Sequence, residues 1–377
     1  MLRYLTAGES HGKGLMAILD GVPSGLAMDE ALINLELSRR MFGYGRGGRM
    51  DIEADTAEVV AGCRKKRTIG SPIGLLVKNR DHKINELPAV KDPRPGHADL
   101  AGVQKYAHSD ARDVLERASA RETAARVACG AVAKMILKEF GIRVLSHVVE
   151  IGGVKADTKG LSADEIAEKA DMSSSRLRCA DPAAEKEMCR VIDEAKQAGD
   201  TLGGGFEVIV ENAPPGLGTY AQWDRRLDGA LARAVMSIPA VKAVSIGEGI
   251  RAASSKGSEV HDAVKYDSAR KRFIRDTNNA GGLEGGVTNG EPVVVRGYMK
   301  PIATLSSPLE TVNLDSKKNS SASTERSDVC AVSACGVIAE AVIAMEIASA
   351  LLEKLGGDSM VEIKRNYEGY LKQLTEV

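Results

Sequence analysis

The sequence has few aromatic residues, no surplus of either charge and no cysteine pair spaced to bind a metal. Phe, Trp and Tyr make up 3% of the 377 residues, so the core must be built mainly from aliphatic and alanine side chains. The 51 Lys and Arg residues are balanced by 52 Asp and Glu residues, which gives a net charge of −1. Proteins that bind nucleic acid or membrane surfaces through charge carry a basic excess. The composition therefore argues against both as partners, and an anion site has to come from local clustering.

Other absences concern the compartment and the number of domains. The six cysteines form no CxxC pair and no zinc spacing, which predicts a reduced cytoplasmic protein without a metal site. The N-terminus, MLRYLTAGES, lacks the apolar centre of a secretion signal. The most apolar run, residues 331–352, carries Glu340 and Glu346, so we expect a core helix there and no membrane span. No proline- or serine-rich linker divides the chain, and we predict one domain over residues 1–377.

The apolar pattern predicts strands that come in pairs joined by short loops. Residues 2–7 and 15–19 flank the polar turn GESHGKG, and residues 59–60 and 73–77 form a second predicted pair. Long apolar helices are predicted after Ser119 and near residues 330–355. Paired strands favour antiparallel sheets over a doubly wound parallel sheet. The predicted fold class is α+β, with helices packed on antiparallel sheets.

The predicted alanine-rich helix after Ser119 is preceded by RPGHADL and a polar connector. Arg117 and Arg121 lie one turn apart at its expected start, where cations are normally unfavourable. An anionic ligand between these arginines would explain the placement. The alternative is that Asp113, Glu116 and Glu122 neutralise both arginines as ordinary ion pairs.

A second arginine cluster lies in residues 39–49, where Arg39, Arg40, Arg46 and Arg49 are interspersed with four glycines. Arginine offers a planar fork of donors suited to carboxylate and phosphate, and glycine lets the backbone approach a ligand closely. A solvated basic loop or a glycine-arginine stretch that binds nucleic acid is the alternative. Without repeats or a basic surplus, a site for a small polyanion is the better interpretation.

Two histidines lie on loops that are rich in glycine and arginine. His11 lies in the GESHGKG turn, and His97 follows Arg94-Pro-Gly. Such histidines are acid–base candidates, because imidazole titrates near neutrality and nearby charges tune it. Asp328 opens the last long apolar helix, where an aspartate is also a common cap. The glycine-rich residues 278–290 and the segment 300–304 are suited to offering backbone amides to a phosphate.

Six motifs that occur in this order resemble the chorismate synthase family, and they extend over the whole chain. They are GESHGKG at residues 8–14, GYGRGGRM at 43–50, RPGHADL at 94–100, SARETAARVA at 119–128, TNNAGGLEGGVTNGEP at 277–292 and ERSD at 325–328. Any one of these motifs alone would be weak, but six in register form a specific signal.

The resemblance implies a carbon–oxygen lyase of the shikimate pathway that makes chorismate on the way to the aromatic amino acids. The substrate would be 5-enolpyruvylshikimate 3-phosphate, which loses phosphate and a C6 hydrogen in a 1,4-anti elimination, the seventh step of that pathway. The resemblance further implies a need for reduced FMN without net redox change, with NADPH or an external flavin reductase as the source of electrons. It also implies a homotetramer and a β-α-β sandwich of two antiparallel sheets with helices packed outside. A weak echo between ERASARETAARVACG and ERSDVCAVSACG is consistent with an internal pseudo-repeat.

The resemblance also assigns residues. The catalytic candidates are His11 as general acid for the leaving phosphate, His97 beside the flavin ring, and Asp328 in removal of the C6 proton. The substrate contacts would be Ser10, Arg40, Arg46, Arg49, Arg94 and Arg121. The FMN contacts would be Arg117, Ala118, Ser119, Ala240, Gly285, Lys300, Pro301, Ile302, Ala303, Thr304 and Arg326.

One turn departs from the family pattern. Many relatives have Asn-Ala where this chain has Pro239-Ala240. Proline has neither a backbone N–H nor a side-chain amide, so the predicted flavin contact of this turn depends on Ala240.

Two other functions stay open from the sequence. A flavin-dependent oxidoreductase would use the same pocket but would consume NAD(P)H in every turnover. A non-catalytic protein that binds a phosphometabolite or RNA would have no need of His11, His97 and Asp328. The acid–base groups beside the arginines and the register of the motifs favour the lyase.

Overall fold

The computed structural model describes residues 2–47, 54–325 and 327–377. Its helices, in chain order, are α1 (Glu30–Met41), α2 (Asp99–Tyr106), α3 (Ala111–Ala118), α4 (Thr123–Lys138), α5 (Ala163–Lys169), α6 (Pro182–Ala198), α7 (Leu227–Met236), α8 (Ile250–Ala253), α9 (Gly257–Val260), α10 (Val332–Leu355) and α11 (Met360–Leu374). Its strands are β1 (Arg3–Ala7), β2 (Gly14–Asp20), β3 (Ala57–Ala61), β4 (Cys63–Arg64), β5 (Arg67–Thr68), β6 (Ile73–Lys78), β7 (Arg143–Ile151), β8 (Val154–Lys155), β9 (Gly204–Glu211), β10 (Val241–Ile246), β11 (Val264–Asp267), β12 (Arg272–Arg275), β13 (Leu283–Glu284), β14 (Val287–Thr288), β15 (Val293–Met299), β16 (Glu310–Val312) and β17 (Asn319–Ser321).

Two antiparallel sheets carry most of the strand residues. The first sheet has the strand order β1-β2-β6-β3, and the second has the order β10-β15-β9-β7-β8. Every pairing within them is antiparallel. The predicted preference for antiparallel sheets in a mixed α and β fold is thus confirmed. The predicted pairs at the start of the chain are present, since β1 pairs with β2 and β3 pairs with β6.

The two alanine-rich helices lie between the sheets. α4 contacts β2 and β6 of the first sheet, while α10 contacts β7, β9 and β15 of the second, and the two helices pack against each other. Their crossing is close, because a Cβ added to Gly130 would lie 2.3 Å from Cβ of Ala341. The prediction that the helices pack outside both sheets is therefore wrong for α4 and α10. Apolar and alanine side chains cover most of the surface of both helices, and Lys134 of α4 pairs with Glu340 of α10, which is why these two helices can fill the interior.

The burial of α10 also bears on the apolar run in the sequence. Of the helices the structure describes, only α10 is long and apolar enough to cross a membrane, and 83% of its most apolar window is buried. Its position between sheet and helix agrees with the predicted core helix. The two similar segments found in the sequence, ERASARETAARVACG and ERSDVCAVSACG, lead into α4 and α10. The internal pseudo-repeat itself stays a prediction.

A buried ion cluster connects the interior helices with α1. Glu340 of α10 accepts hydrogen bonds from Arg39 at 2.8 Å, from Arg178 at 2.9 Å and from Ser146 at 2.5 Å, and it also pairs with Lys134. Burial alone would raise the pKa of Glu340, but the surrounding cations outweigh it and hold that pKa well below its usual range. Arg39 thus belongs to the core, although the sequence grouped it with the arginines of a ligand site.

The polar connector after RPGHADL, for which the sequence predicted no helix, is helical. It forms α2 and α3, and the side chain of Asp110 caps α3 by accepting a hydrogen bond from the backbone N–H of Arg112. Both helices have eight residues, fewer than the window of about 11–18 residues in which an apolar period is normally recognised. Arg117 therefore lies in the last turn of α3, where a cation is favourable, and Arg121 lies in the short 3₁₀ turn Ala120–Glu122 that leads into α4.

Candidate active site

A cavity of about 710 Å³ opens where several loops meet the N-terminal ends of α4 and α10. This volume is in the range of roughly 300–1,000 Å³ that is usual for small-molecule sites. The walls come from the β1–β2 turn, the C-terminal end of α1, the loop before α2, the α3–α4 junction, the turn before β10, the segment after β15 and the start of α10. The fold thus brings together loops that are far apart in sequence.

Most of the predicted site residues line this one cavity. They are Ser10, His11, Arg40, Arg46, Arg94, His97, Ala118, Ser119, Arg121, Ala240, Lys300, Ile302, Ala303, Thr304 and Asp328. Three do not line it: Arg117 faces a neighbouring cavity of about 270 Å³, Pro301 is exposed beside the lining segment, and Gly285 is exposed next to Tyr220. The predicted residues Arg49 and Arg326 lie outside the described residues.

The cavity wall carries an excess of positive charge. The described lining includes Arg40, Arg46, Lys83, Arg94, Arg121 and Lys300, against the carboxylates of Glu325 and Asp328. Burial, and then the neighbouring Lys242, lower the pKa of Lys300, so an anion beside its ammonium group would be favourable. Apolar side chains of Leu87, Leu115, Met299 and Ile338 make up part of the same wall. The cavity is therefore suited to a ligand that combines anionic groups with a flat apolar surface.

His11 is held by a carboxylate from a distant helix. Its Nδ1 lies 2.9 Å from Oε1 of Glu116 on α3, and its backbone N–H donates to Oε2 of the same residue at 2.8 Å. Burial alone would raise the pKa of Glu116, but the hydrogen bonds from His11 outweigh it and lower that pKa. Because Nδ1 donates to the carboxylate, Nε2 is the nitrogen left for a ligand, with Oδ2 of Asp81 3.9 Å away.

His97 is held by a carboxylate two residues further along the chain. Its Nδ1 lies 2.5 Å from Oδ1 of Asp99, which is fully buried. Asp99 also accepts hydrogen bonds from Nε of Arg94 at 2.8 Å and from Nη2 at 3.1 Å. Burial alone would raise the pKa of Asp99, but His97 and Arg94 hold it well below its usual range. Arg94 also donates from Nη1 to Oγ1 of Thr304 at 2.7 Å, which ties this loop to the segment after β15.

One buried carboxylate, that of Asp55, contacts both Arg121 and Arg40. Arg121 Nη1 donates to both oxygens of Asp55, at 2.6 and 2.7 Å, and Arg40 Nη1 lies 3.6 Å from Oδ2 of the same residue. Arg40 also donates from Nε to Thr123 Oγ1 at 3.0 Å. Burial lowers the pKa of Arg40 to about 10, an effect that Asp55 opposes and Arg121 reinforces. Two guanidinium groups at this depth strongly favour an anionic ligand.

Known proteins resemble this chain over its whole length. The family model described as chorismate synthase matches residues 2–352. The chorismate synthases of Acidobacterium capsulatum and Geobacter metallireducens are 54% and 53% identical to it, with 99% of both chains covered in each comparison. The chain belongs to the chorismate synthase family.

A solved structure described as a crystal structure of chorismate synthase agrees with this. It superposes with a TM-score of 0.82 at 44% identity and covers 100% of this chain and 99% of the other. The resemblance predicted from the six motifs is thereby confirmed. Membership of the chorismate synthase family makes the chain an enzyme, a lyase of the shikimate pathway, and the cavity is its candidate active site.

Asp328, the third catalytic candidate, contacts the loop after α1 that contains Arg46 and Gly47. Its Oδ1 accepts a hydrogen bond from the backbone N–H of Gly47 at 2.6 Å, and its Oδ2 lies 3.3 Å from Nε of Arg46. A Cβ on Gly47 would lie 2.7 Å from the backbone oxygen of Ser327, so this approach requires glycine. Asp328 therefore does not act as a simple helix cap, which was the alternative raised by the sequence.

Four groups that orient the predicted residues were missed in the sequence. Glu116 was considered only as an ion-pair partner of the arginines, and Asp99 was passed over although it follows His97 within RPGHADL. Asp55 and Asn79 hold Arg121 from segments 66 and 42 residues away, and no local pattern points to them. The six cysteines are all free, as the lack of pairing motifs predicted.

Proposed function

We propose that the chain converts 5-enolpyruvylshikimate 3-phosphate to chorismate and phosphate, with a requirement for reduced FMN and no net redox change. The observation that carries this proposal is the convergence of cationic residues, His11, His97 and Asp328 on one cavity with a partly apolar wall. In the reaction the C–O bond to phosphate and the C6–H bond break. The phosphate leaves with the electron pair of the C–O bond, and the C6 proton passes to a base, while the electron pair of the C6–H bond stays in the ring and completes the conjugated diene.

The substrate would bind at the end of the cavity that holds Ser10, His11, Arg40, Arg46 and Arg121. Arginine forks bind carboxylate and phosphate with two parallel hydrogen bonds, and they keep their charge in a buried site. Nη1 of Arg40 has no hydrogen-bond partner among the described residues, although it is buried, so it is available to such a ligand. Arg49, outside the described residues, belongs to the same proposal.

His11 would act as the general acid at the leaving phosphate. Glu116 fixes Nδ1 and leaves Nε2 toward the ligand, which is the arrangement that lets an imidazole hold or move one proton at a defined atom. A proton at Nε2 offsets the negative charge that develops on the phosphate as its C–O bond breaks. Asp328, held by Gly47 and Arg46, would assist removal of the C6 proton.

FMN would lie along the remaining wall. Met299, Ile302 and Ile338 would offer apolar contacts to its ring, and Lys300 and Thr304 would offer polar contacts to its phosphate, so the lining residues fit the group. Ala118, Ser119, Ala240 and Ala303 would complete the contact, together with Arg326. Arg117, Pro301 and Gly285 would contribute only from outside the cavity wall. When bound, reduced FMN supplies electron density to the substrate during the elimination, and His97 would stabilise its anionic form.

Two sources of reducing electrons are alternatives for this chain. NADPH would reduce the flavin on the protein itself, or a separate flavin reductase would supply reduced FMN. Adding NADPH and oxidised FMN to the purified chain without a second protein separates them, because activity then requires the first route.

We propose further that the chain is cytoplasmic, forms one domain over residues 1–377 and assembles as a homotetramer. A continuous apolar core from Leu2 to Ile363 supports one domain. The outer face of the first sheet exposes Leu5, Met16 and Ile18, by 77%, 54% and 54%, which is a surface suited to a second copy. Analytical ultracentrifugation of the wild type and of Ile18→Glu tests the assembly.

Anaerobic turnover of 5-enolpyruvylshikimate 3-phosphate with photoreduced FMN tests the proposed reaction. The expected result is release of phosphate that depends on reduced FMN, with no flavin oxidised per product. Phosphate release without flavin, or one flavin oxidised per turnover, would contradict the proposal; the second result would instead support a flavin-dependent oxidoreductase.

A further inference from the structure

Asn79 lies directly behind the cavity wall, and its side-chain amide connects two parts of the site. Oδ1 of Asn79 accepts hydrogen bonds from Arg121, from Nε at 2.9 Å and from Nη2 at 2.8 Å. Nδ2 of Asn79 faces three backbone oxygens of the β1–β2 turn, those of Glu9 at 3.1 Å, Ser10 at 3.2 Å and Gly12 at 2.8 Å. The residue is 5% exposed, so water does not substitute for these partners.

The chemistry of the partners fixes which end of the amide faces which group. A guanidinium group only donates hydrogen bonds, and a backbone carbonyl only accepts them. The oxygen of Asn79 must therefore face Arg121, and its nitrogen must face the turn. Among the standard side chains of this length, an asparagine alone offers both an acceptor pair and a donor pair.

The sheet places this amide beneath the turn. Asn79 follows β6 immediately, and β6 pairs with β2 in a register that sets Gly14 opposite Lys78. The backbone N–H of Asn79 donates to the carbonyl of Lys13 at 3.2 Å, which continues that register into the turn. Asn79 is thus carried by a rigid element, whereas the turn with Ser10 and His11 is a loop.

We propose that Asn79 is a positioning residue that locks the Ser10–His11 turn and Arg121 into one unit, and so sets the general acid against the anion-binding group. The proposal rests on the proposed function for the roles of these groups. Asn79 does not line the cavity, and it acts on the reaction through His11 and Arg121. A misplacement of about 1 Å at a reacting group costs roughly 100-fold in rate. An amide that holds the turn in place should therefore have a large effect on kcat.

Two substitutions at Asn79 separate its two hydrogen-bonding ends. Asn79→Asp keeps an acceptor for Arg121 but places a carboxylate oxygen opposite the three backbone carbonyls, which repel it. We therefore expect kcat to fall by about 10- to 100-fold while KM changes by less than about 3-fold. Asn79→Ala frees both the turn and Arg121, so KM should rise as well. In a His11→Ala background, Asn79→Asp should cost less than about 3-fold, because groups that act together show non-additive effects.

Asn366→Asp is the matched control. Nδ2 of Asn366 donates to the carbonyl of Leu355 at 2.9 Å, so this variant also loses a donor to a backbone oxygen, at a place away from the cavity. It should leave kcat and KM within about 2-fold of the wild type. Thermal unfolding of all variants identifies any that fail to fold.

Hydrogen exchange of the protein without ligands provides a readout that does not depend on the reaction. Backbone amides of residues 10–12 are hydrogen-bonded to Glu116 and Glu9, and they should exchange faster in Asn79→Asp but not in Asn366→Asp. Unchanged exchange in the turn, unchanged kcat, or a loss in kcat that is equally large in the His11→Ala background would each overturn the proposal. A wild type that releases no phosphate would refute the proposed function instead, and the exchange result would still decide whether Asn79 locks the turn.

Discussion

His11 and His97 face the same cavity, and each directs Nδ1 toward a buried carboxylate, but the two carboxylates are placed differently. Glu116 is 105 residues from His11 and belongs to α3, so this pair depends on how the helix packs against the β1–β2 turn. Asp99 is two residues from His97 and is the first residue of α2, so this pair forms locally where the loop enters that helix. The imidazole of His97 is also more exposed than that of His11, 21% against 11%. The comparison indicates a preorganised acid at one end of the cavity and a more adaptable ligand contact at the other.

The carboxylates also differ in how many candidate site residues they hold. Glu116 binds His11 through both the ring and the backbone N–H, and its ion-pair partner Arg112, 3.6 Å away, does not line the cavity. Asp99 binds His97 and Arg94 together, and Arg94 reaches on to Thr304. Loss of Glu116 should therefore affect one catalytic group, whereas loss of Asp99 should release a whole loop.

Removal of the two imidazoles should give the largest difference in activity. We expect His11→Ala to lower kcat by about 10²- to 10⁴-fold, the usual contribution of a positioned general acid. His97→Ala should lower kcat less, because it supports a bound group and does not transfer the proton to phosphate. Steady-state kinetics at saturating reduced FMN measure both. If His97→Ala lowered kcat as much as His11→Ala or more, the different roles assigned to the two histidines would be contradicted.

Asp99→Asn should show the largest loss of stability. Breaking a buried ion pair on one side costs about 3–5 kcal/mol, so the free energy of unfolding at pH 7 should fall by about 3 kcal/mol. The pKa of Asp99 is held well below its unfolded value of about 3.9, so its stabilisation is complete above that pH and is lost as the pH falls further.

The difference in unfolding free energy between wild type and Asp99→Asn should therefore narrow as the pH falls below about 4, as measured by urea unfolding. Asp164→Asn is the matched control, because the side chain of Asp164 is 85% exposed and its ion pair with Arg143 should contribute less than about 1 kcal/mol. A gap that stays constant or widens in acid would show that the Asp99 carboxylate is not the stabilising group.

Glu116→Gln should have a smaller effect, confined to the His11 end of the cavity. The amide can still accept from Nδ1, but it no longer places a negative charge behind the ring of the proposed general acid, so we expect a loss in kcat of about 10-fold. Affinity for FMN should not change. A variant with wild-type kcat, or one that loses FMN, would mean that Glu116 serves another purpose.

Thr304→Val should have the smallest effect and should act only at the His97 end. It removes the hydrogen bond from Nη1 of Arg94 and leaves that donor buried, at a cost of about 1–2 kcal/mol. KM for FMN should rise by about 10-fold or less, with kcat at saturation nearly unchanged. A larger loss in kcat than in Glu116→Gln would reverse the proposed order of the two ends.

Local patterns were sufficient to predict β1, β2 and their turn, because short apolar runs flank a polar glycine-rich segment. The predicted position of α4 and α10 was wrong because the family resemblance implied a sandwich with its helices outside the sheets. The composition of both helices, which are apolar over most of their surface, already indicated burial. Both short helices α2 and α3 were missed because eight residues are fewer than the window of about 11–18 residues in which an apolar period is normally recognised.

Within the cavity, the predicted residues could be brought together only through the family resemblance. His11, Arg121 and Asp328 share no local pattern, and their meeting depends on how the two sheets enclose α4 and α10. The groups that hold them are still harder to predict, because Asp55 and Glu116 act across 66 and 105 residues. A carboxylate that supports a catalytic group from another element looks like any other charged residue in the sequence.

Affinity for reduced FMN in the two histidine variants tests most directly whether the ends of the cavity serve different ligands. Anaerobic titration of the wild type, His11→Ala and His97→Ala with photoreduced FMN gives the three dissociation constants. We predict that His97→Ala weakens binding by about 10-fold, which corresponds to about 1.4 kcal/mol, and that His11→Ala stays within about 2-fold of the wild type. Equal losses in both variants, or a loss confined to His11→Ala, would contradict the division of the cavity between a flavin end and a phosphate end.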